Sequence, residues 1–494
     1  MNREGEISKL DDHFDVIVIG GGASGLGSAL EATNRGYKVL LIEKYDFSKG
    51  TSSRSTKLIH GGVRYLEQGK FKLVKEALRE RTYLLNQFPE IVQPINLVIP
   101  VYHWFQSFYY YVGLKLYDFL AGKSRLGRTH FLKSNQISDK LDLEHLNSAI
   151  SFYDGLFDDS LMAIHLAKLI QKNGGTVLNY MSFEAFIFEK SRVIGVKIKD
   201  NITKNIYNIN CDKIINATGI FSDEIVQKLN QNIPKRLSLS QGVHLVFDNA
   251  IFPEKYGIMI PKTSDGRVLF AIPWHSKIIV GTTDTGIPEP SIEPAAFDEE
   301  VLFIINSLNQ YFQKSVKAED IKSIFVGIRP LISPEKKNKA TSHISREHQI
   351  HVANDNIFSV IGGKWTTFRK IGNDVNNFVF KDKRKLNDKS YEKIATVKFD
   401  YAHFFELSFE DKKAYLDPFL SDAIQYEWVT CIEDFLARRV RILFLDVALA
   451  LALAPHVASK ISEQSKNFYD PNKDIIDFKL IAGNYIYKTN KPSQ

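Results

Sequence analysis

Gly20, Gly22 and Gly25 stand in the order G-x-G-x-x-G, inside "GGGASGLGSALEATNRG" and directly after the apolar run "FDVIVIG". The first glycine permits a tight turn, the second lets the backbone approach a pyrophosphate, and the third lets a helix sit close on a strand. Phosphates would then lie at the positive N-terminus of that helix. "KVLLIEK" (38–44) supplies the next strand, and Glu43 near its end offers a carboxylate that accepts ribose hydroxyls and repels a 2′-phosphate. The glycine pattern alone is common at helix entries. The strand before it, the helix after it and the acid at the expected distance point to a dinucleotide. This βαβ unit does not by itself choose between NAD and FAD. Its place at the start of the chain, with further Gly-rich returns at 217–219 and 361–364, favours FAD, which takes contacts from several segments.

Eight positions after Glu43 begins "TSSRSTKLIHGGVRYLEQG" (51–69), with six hydroxyl residues, a histidine, two arginines, a lysine and a Gly-Gly pair. It is too polar for a core strand and too rich in special residues for an idle connection.

The elements that must position these residues are legible at lower resolution. A chain of 494 residues suggests two or three domains, and 44% hydrophobic with 24% charged residues is ordinary globular composition. Cys211 and Cys431 cannot form a disulfide framework and lie near no histidine at metal-ligand spacing, so no metal and a reducing compartment are expected. The first residues carry no apolar signal segment, and no run approaches the ~18 apolar residues of a membrane span. "ILFLDVALALALA" (442–454) is read as a buried helix. The net charge of +7, from 64 Lys and Arg against 57 Asp and Glu, is a mild excess that suits phosphorylated substrates or an anionic membrane surface. No basic stripe or known module points to nucleic acid.

The fold class expected is α/β: a Rossmann-like FAD-binding domain, an antiparallel-sheet substrate domain and a C-terminal helical domain. Residues 1–100 form the first part of the FAD-binding domain and 101–150 a membrane-facing segment. Residues 151–235 return to the FAD-binding domain, through "LMAIHLAKLIQKNGGTVLNY", "VIGVKI" and "YNINCDKIINATG". Short alternating strands such as "VHLVF", "RVLFAIPW" and "KIIVGTTD" place the substrate domain at 236–349. Residues 350–375 give strand, Gly-Gly and helix start, the last part of the FAD-binding domain, and 376–494 are helical.

The 51–69 loop, with the nucleotide signature before it, resembles the N-terminus of the FAD-dependent glycerol-3-phosphate dehydrogenases. "QGVHLVF" (241–247), "IVGTTDT" (279–285), "GIRPLI" (327–332), "GGKWTTFRK" (362–370) and "DFLARRVRILFLD" (434–446) match in the family's order and span nearly the whole chain. The resemblance implies oxidation of sn-glycerol 3-phosphate to dihydroxyacetone phosphate, with hydride moving from C2 to flavin N5 and electrons passing to a membrane quinone. It implies a cytoplasmic protein attached peripherally to the inner face of the cell membrane, and is compatible with a homodimer. The C-terminal domain is shorter than in many members, and Val440 stands where threonine is more usual.

In that setting the 51–69 loop crosses from the adenine end of FAD to the flavin. Ser52, Ser53 and Ser55 would bond phosphates or flavin edges, and Lys57, Leu58, Gly61 and Gly62 would lay backbone along the isoalloxazine. Gly219, Gly362, Gly363 and Thr366 complete the cofactor set. Arg64 and Tyr65 would face the substrate, whose dianionic phosphate suits the guanidinium groups of Arg64, Arg329 and Arg369. His244 is the only matched residue whose ordinary pKa lies near neutrality, and it would take the hydroxyl proton. Arg329 would orient the C2 oxygen, and Lys364 would bring charge near flavin N1 or the substrate.

Structural roles compete with each of these. Arg64 could pair with Glu67, His244 could be a satisfied core histidine, and Arg369 could serve structural carboxylates. Competing functions are an oxidase that makes hydrogen peroxide, an amine or amino-acid oxidoreductase, and a non-catalytic flavin-binding scaffold. Helix spacing of Phe105, Phe108, Val112, Leu116 and Phe119, with Lys123, Arg125 and Arg128 beyond, marks 104–128 as either an interfacial helix or a core helix.

Overall fold

The computed structural model describes residues 3–488 except 68, 142, 143, 145, 253, 254, 264, 265, 334–347, 382–393, 395–397 and 465–468. The side chains of Arg64, Ser134 and Ile251 also lie outside the described residues.

Strand His13–Ile19 is buried along nearly its whole length, because it runs parallel between Val39–Ile42 and Ile206–Asn216, with helix Ala23–Asn34 on one face and the strands Met181–Glu189 and Arg192–Asp200 on the other. Continuous burial is why its sequence is an apolar run and not an alternation. Strands Thr176–Leu178 and Ile357–Ile361 extend this sheet, and Gln349–Asn354 closes one edge. Helices Ala23–Asn34, Asp159–Lys172 and Phe368–Phe380 cover it and share one apolar cluster with its strands. Strands from residues 13–42, 176–216 and 349–361 therefore lie in one sheet.

A second sheet of ten strands carries the expected alternating segments. Its centre is Leu237–Asp248, paired antiparallel with Lys277–Gly281 and Ile321–Ile332. The boundaries drawn from sequence need correction here. Strands Val92–Val101 and Ser148–Phe157 pair over ten residues, and Val92–Val101 joins the same sheet through Gly257–Ile260. Leu58–Ile59 also joins it. Strand partners are non-local, so a boundary at residue 100 cuts through what is one sheet.

Between those two strands rises helix Trp104–Ala121. Leu114, Tyr117 and Ala121 are buried on its inner side, whereas Trp104, Phe105, Phe108, Tyr109, Val112, Leu116 and Phe119 are exposed. The core alternative for this helix applies only to the inner side. Among the described residues no helix is long and apolar enough to cross a membrane.

The C-terminal part is helical, as expected. The apolar run 442–454 is divided at Asp446, which accepts a hydrogen bond from Leu449 N–H and starts helix Val447–Gln464. A π-helical turn, Asp434–Arg439, docks on the nucleotide-binding loop by charge. Arg438 Nε donates to Asp46 Oδ2 at 2.6 Å, Arg439 donates to both Asp46 oxygens, and Lys49 Nζ donates to Glu433 Oε2.

Candidate active site

A cavity of about 580 Å³ runs from the glycine turn to the second sheet. At its first end Gly20 has φ +110°, and a Cβ at Gly25 would lie 1.9 Å from Gly20 O, so the helix can sit this close only as glycine. Gly22, at the helix N-cap, supplies no capping side chain, and Ala23 N–H donates to Ser52 Oγ at 2.9 Å. Glu43 Oε2 accepts from Gly21 N–H and Oε1 from Tyr45 N–H, at 2.7 and 2.9 Å. Burial pushes this carboxyl above its ordinary range, against those two bonds. Each oxygen keeps a second lone pair for a ribose hydroxyl.

The loop that follows is pinned from below. Ser55 Oγ and Lys57 Nζ both donate to Asp159 Oδ2, and Lys57 Nζ also reaches Ser53 O. Arg441, from the C-terminal part, donates to Asp159 Oδ1 and Ser53 O. Burial, and then the Arg441 charge, push the Lys57 ammonium down to about 7. Lys57 and Ser53 thus point away from the cavity, while Ser52, Ser55, Leu58 and Gly62 line it. Gly61 is behind the wall, its N–H donating to Tyr117 Oη at 2.8 Å. On the opposite side Gly219, Gly362, Gly363, Lys364 and Thr366 line the same space.

At the far end the second sheet contributes His244 and Arg329. The His244 ring stacks on Phe325 with centroids 4.6 Å apart, and its Nε2 lies 2.9 Å from Thr56 Oγ1. A Cβ at Gly281 would fall 2.3 Å from His244 Cδ2, so glycine there leaves room for the ring. Burial, then the charges of Lys57 and Arg329, hold the imidazole well below its usual pKa, hence neutral. Arg329 is aimed by the carbonyls of Thr283 and Gln241 and by Thr282 Oγ1. Lys364 Nζ sits 4.2 Å from the centre of the Tyr65 ring, and both line the cavity.

Arg369 goes elsewhere. It forms a two-bond ion pair with Glu80 and lies over the Tyr83 ring, outside the cavity lining, so its substrate-binding assignment is corrected to the structural alternative. Its position in the first turn of helix Phe368–Phe380 turns it toward helix Phe71–Gln87. The backbone of Arg64 is in the short helix Val63–Glu67; its side chain is among those outside the described residues.

Sequence reasoning passed over Thr56, Asp159, Arg267 and Arg441. Thr56 and Arg267 line the cavity, and Asp159 and Arg441 hold the loop. Thr56 and Arg441 lay inside matched motifs and could have been singled out. Asp159 had no local signal.

The residues at the first end fit a flavin dinucleotide: a glycine turn whose geometry a Cβ would destroy, a helix N-terminus without a side-chain cap, and a carboxylate at the strand end. Residues 15–367 match the model of the FAD-dependent oxidoreductase family. The chain belongs to that family. FAD is its cofactor. Among similar proteins is the mitochondrial glycerol-3-phosphate dehydrogenase of Macaca fascicularis, 38% identical over 400 residues. That match takes in 77% of this chain and 55% of the relative, so the chain spans about half the length of this relative. The glycerol-3-phosphate dehydrogenase of Bacillus halodurans complexed with FAD has the same fold, with a TM-score of 0.78, 24% identity and 99% of each chain covered. The dithionite-reduced L-alpha-glycerophosphate oxidase of Mycoplasma pneumoniae, with FAD bound, gives a TM-score of 0.59 at 16% identity, covering 78% of this chain and all of that one.

Proposed function

We propose that this protein oxidises sn-glycerol 3-phosphate to dihydroxyacetone phosphate and passes the electrons to a membrane quinone. The observation that carries the reading is that Arg329, Lys364 and a neutral, buried His244 line the same cavity as the glycine turn. FAD held by the glycine turn and Glu43 would supply a two-electron oxidant for the substrate carbinol. Arg329, whose guanidinium is oriented by two carbonyls, would hold the C2 oxygen and stabilise charge that develops on it. Lys364, and Arg267 also on the cavity wall, would balance the phosphate. His244 would hold the hydroxyl proton. Arg64 and Tyr65 are proposed as further substrate contacts.

The exposed apolar side of helix Trp104–Ala121 supports delivery of electrons at a membrane. Trp104, Phe108 and Phe119 are 76%, 70% and 79% exposed, on a helix followed by exposed Lys123, Arg125 and Arg128. Burying such side chains in an acyl boundary is worth about 1.5–3 kcal/mol each when complete, and the basic residues add attraction to anionic lipid. The helix would lie in the interface.

The test is to add glycerol 3-phosphate to the anaerobic holoprotein and follow flavin absorbance. Bleaching is expected, followed by rapid reoxidation by a short-chain quinone. Reoxidation by oxygen with stoichiometric peroxide, faster than by quinone, would replace the dehydrogenase by an oxidase. No bleaching would reject the substrate.

A further inference from the structure

His244 lies in the middle of strand Leu237–Asp248 and is 2% exposed. Its Nδ1 is buried and has no hydrogen-bond partner among the described residues, so no donor reaches the ring from that side. With the ring proton on Nδ1, Nε2 is the basic atom, and Thr56 Oγ1 lies 2.9 Å from it. Thr56 is only half-buried and lines the cavity. Both residues line the cavity, and the contact between Thr56 Oγ1 and Nε2 is already made within it. A hydroxyl carries one proton and two lone pairs, so it can donate to Nε2 while accepting from a second hydroxyl.

We propose that Thr56 Oγ1 relays the substrate's hydroxyl proton to His244 Nε2. The proposal rests on the reading of His244 as the base. The substrate O–H bond breaks and its proton binds Oγ1, while the proton already on Oγ1 moves to Nε2. Threonine is neutral before and after, and His244 gains one proton. The hydrogen on the carbinol carbon leaves with its electron pair to the flavin, which is reduced as the carbon–oxygen double bond forms.

Two independent elements fix the relay distance. On one side, Lys57 follows Thr56 with φ +63°, and its ammonium is tied to Asp159 and Ser53 O. On the other, the imidazole is held flat between Phe325 and the space above Gly281. Placement of both partners before substrate arrives is what a proton transfer in the transition state requires.

Thr56→Val removes the hydroxyl and keeps the shape, and Thr56→Ser restores the hydroxyl. The holoproteins are mixed anaerobically with glycerol 3-phosphate in H2O and in D2O. Valine should slow flavin reduction by at least about tenfold, the lower range of lost acid–base catalysis, with flavin content retained. Serine should keep most of the rate and its solvent isotope effect. The double variant with His244→Ala should be no slower than His244→Ala alone, since both residues lie on one path. Imidazole 15N resonances, assigned by loss in His244→Ala, should show the Nε2 signal moved by valine and kept by serine. Wild-type reduction rates in Thr56→Val, or a defect that adds in full to that of His244→Ala, overturn the relay alone. If valine strips the flavin, Thr56→Ala in the same cycle is judged by the same outcomes. A wild-type flavin that glycerol 3-phosphate does not bleach overturns the functional reading, and the relay with it.

Discussion

Lys57 and Asp159 meet at 2.6 Å, Nζ to Oδ2, with both side chains wholly out of solvent. The ammonium is nevertheless held down to about 7 by burial and by Arg441. Its folded-state pKa therefore lies below the unfolded value of about 10.4, so between these limits the unfolded chain binds more protons. Stability contributed by this group should rise with pH from about 7 to about 10. Replacing it, as Lys57→Met, should make the advantage of wild type over the variant grow across that window in thermal unfolding. A difference that stays constant or shrinks with rising pH would contradict the depressed lysine.

Arg329→Ala should lower the rate of flavin reduction by roughly a hundredfold or more, the usual effect of losing an electrostatic donor at a developing oxyanion. Arg329→Lys should restore little, because an ammonium cannot reproduce the planar fork held by Thr283 O and Gln241 O. Flavin content should survive both changes. Reduction at wild-type rate in Arg329→Ala would remove this residue from the chemistry.

Gly25→Ala should yield protein with little or no FAD. The added Cβ would fall 1.9 Å from a backbone oxygen, so the helix or the Gly20 turn must move. The ratio of flavin to protein absorbance reads this directly, and full occupancy would refute the close approach.

Phe105→Ser with Phe108→Ser should weaken binding to vesicles containing anionic lipid, with the fold intact because both side chains are exposed. Sedimentation with vesicles measures it. The variant should still reduce its flavin with glycerol 3-phosphate, while electron delivery to vesicle-borne quinone falls. Unchanged vesicle binding would assign this surface to something other than lipid.

What could be read in advance depended on how local the cause was. Gly20, Gly22, Gly25 and Glu43 act within one βαβ unit, and their spacing carries the geometry. Helix Trp104–Ala121 was ambiguous because an apolar stripe looks alike against lipid and against protein; its exposure takes the outer side out of the core. Lys57 was read for its backbone, whereas its side chain answers to Asp159, 102 residues later, and to the Arg441 charge beyond it. Arg369 was drawn toward substrate by its motif, and Glu80, 289 residues away, takes it. Charge partners of this kind leave no periodicity in the sequence. The same holds for strand Val92–Val101, whose run is apolar enough for either sheet.

The docking of the π-helical turn on the nucleotide loop sets an order of events during synthesis. Asp46 leaves the ribosome 392 residues ahead of Arg438. At about 5–20 residues per second, that is roughly 20–80 s during which a carboxylate destined for complete burial has no guanidinium beside it. The loop it belongs to should stay open to protease in chains stalled before residue 430 and close once Arg438 and Arg439 emerge. Flavin capture should then wait for Arg438 and Arg439, so that residues near 438 decide when the loop around Asp46 becomes a binding site.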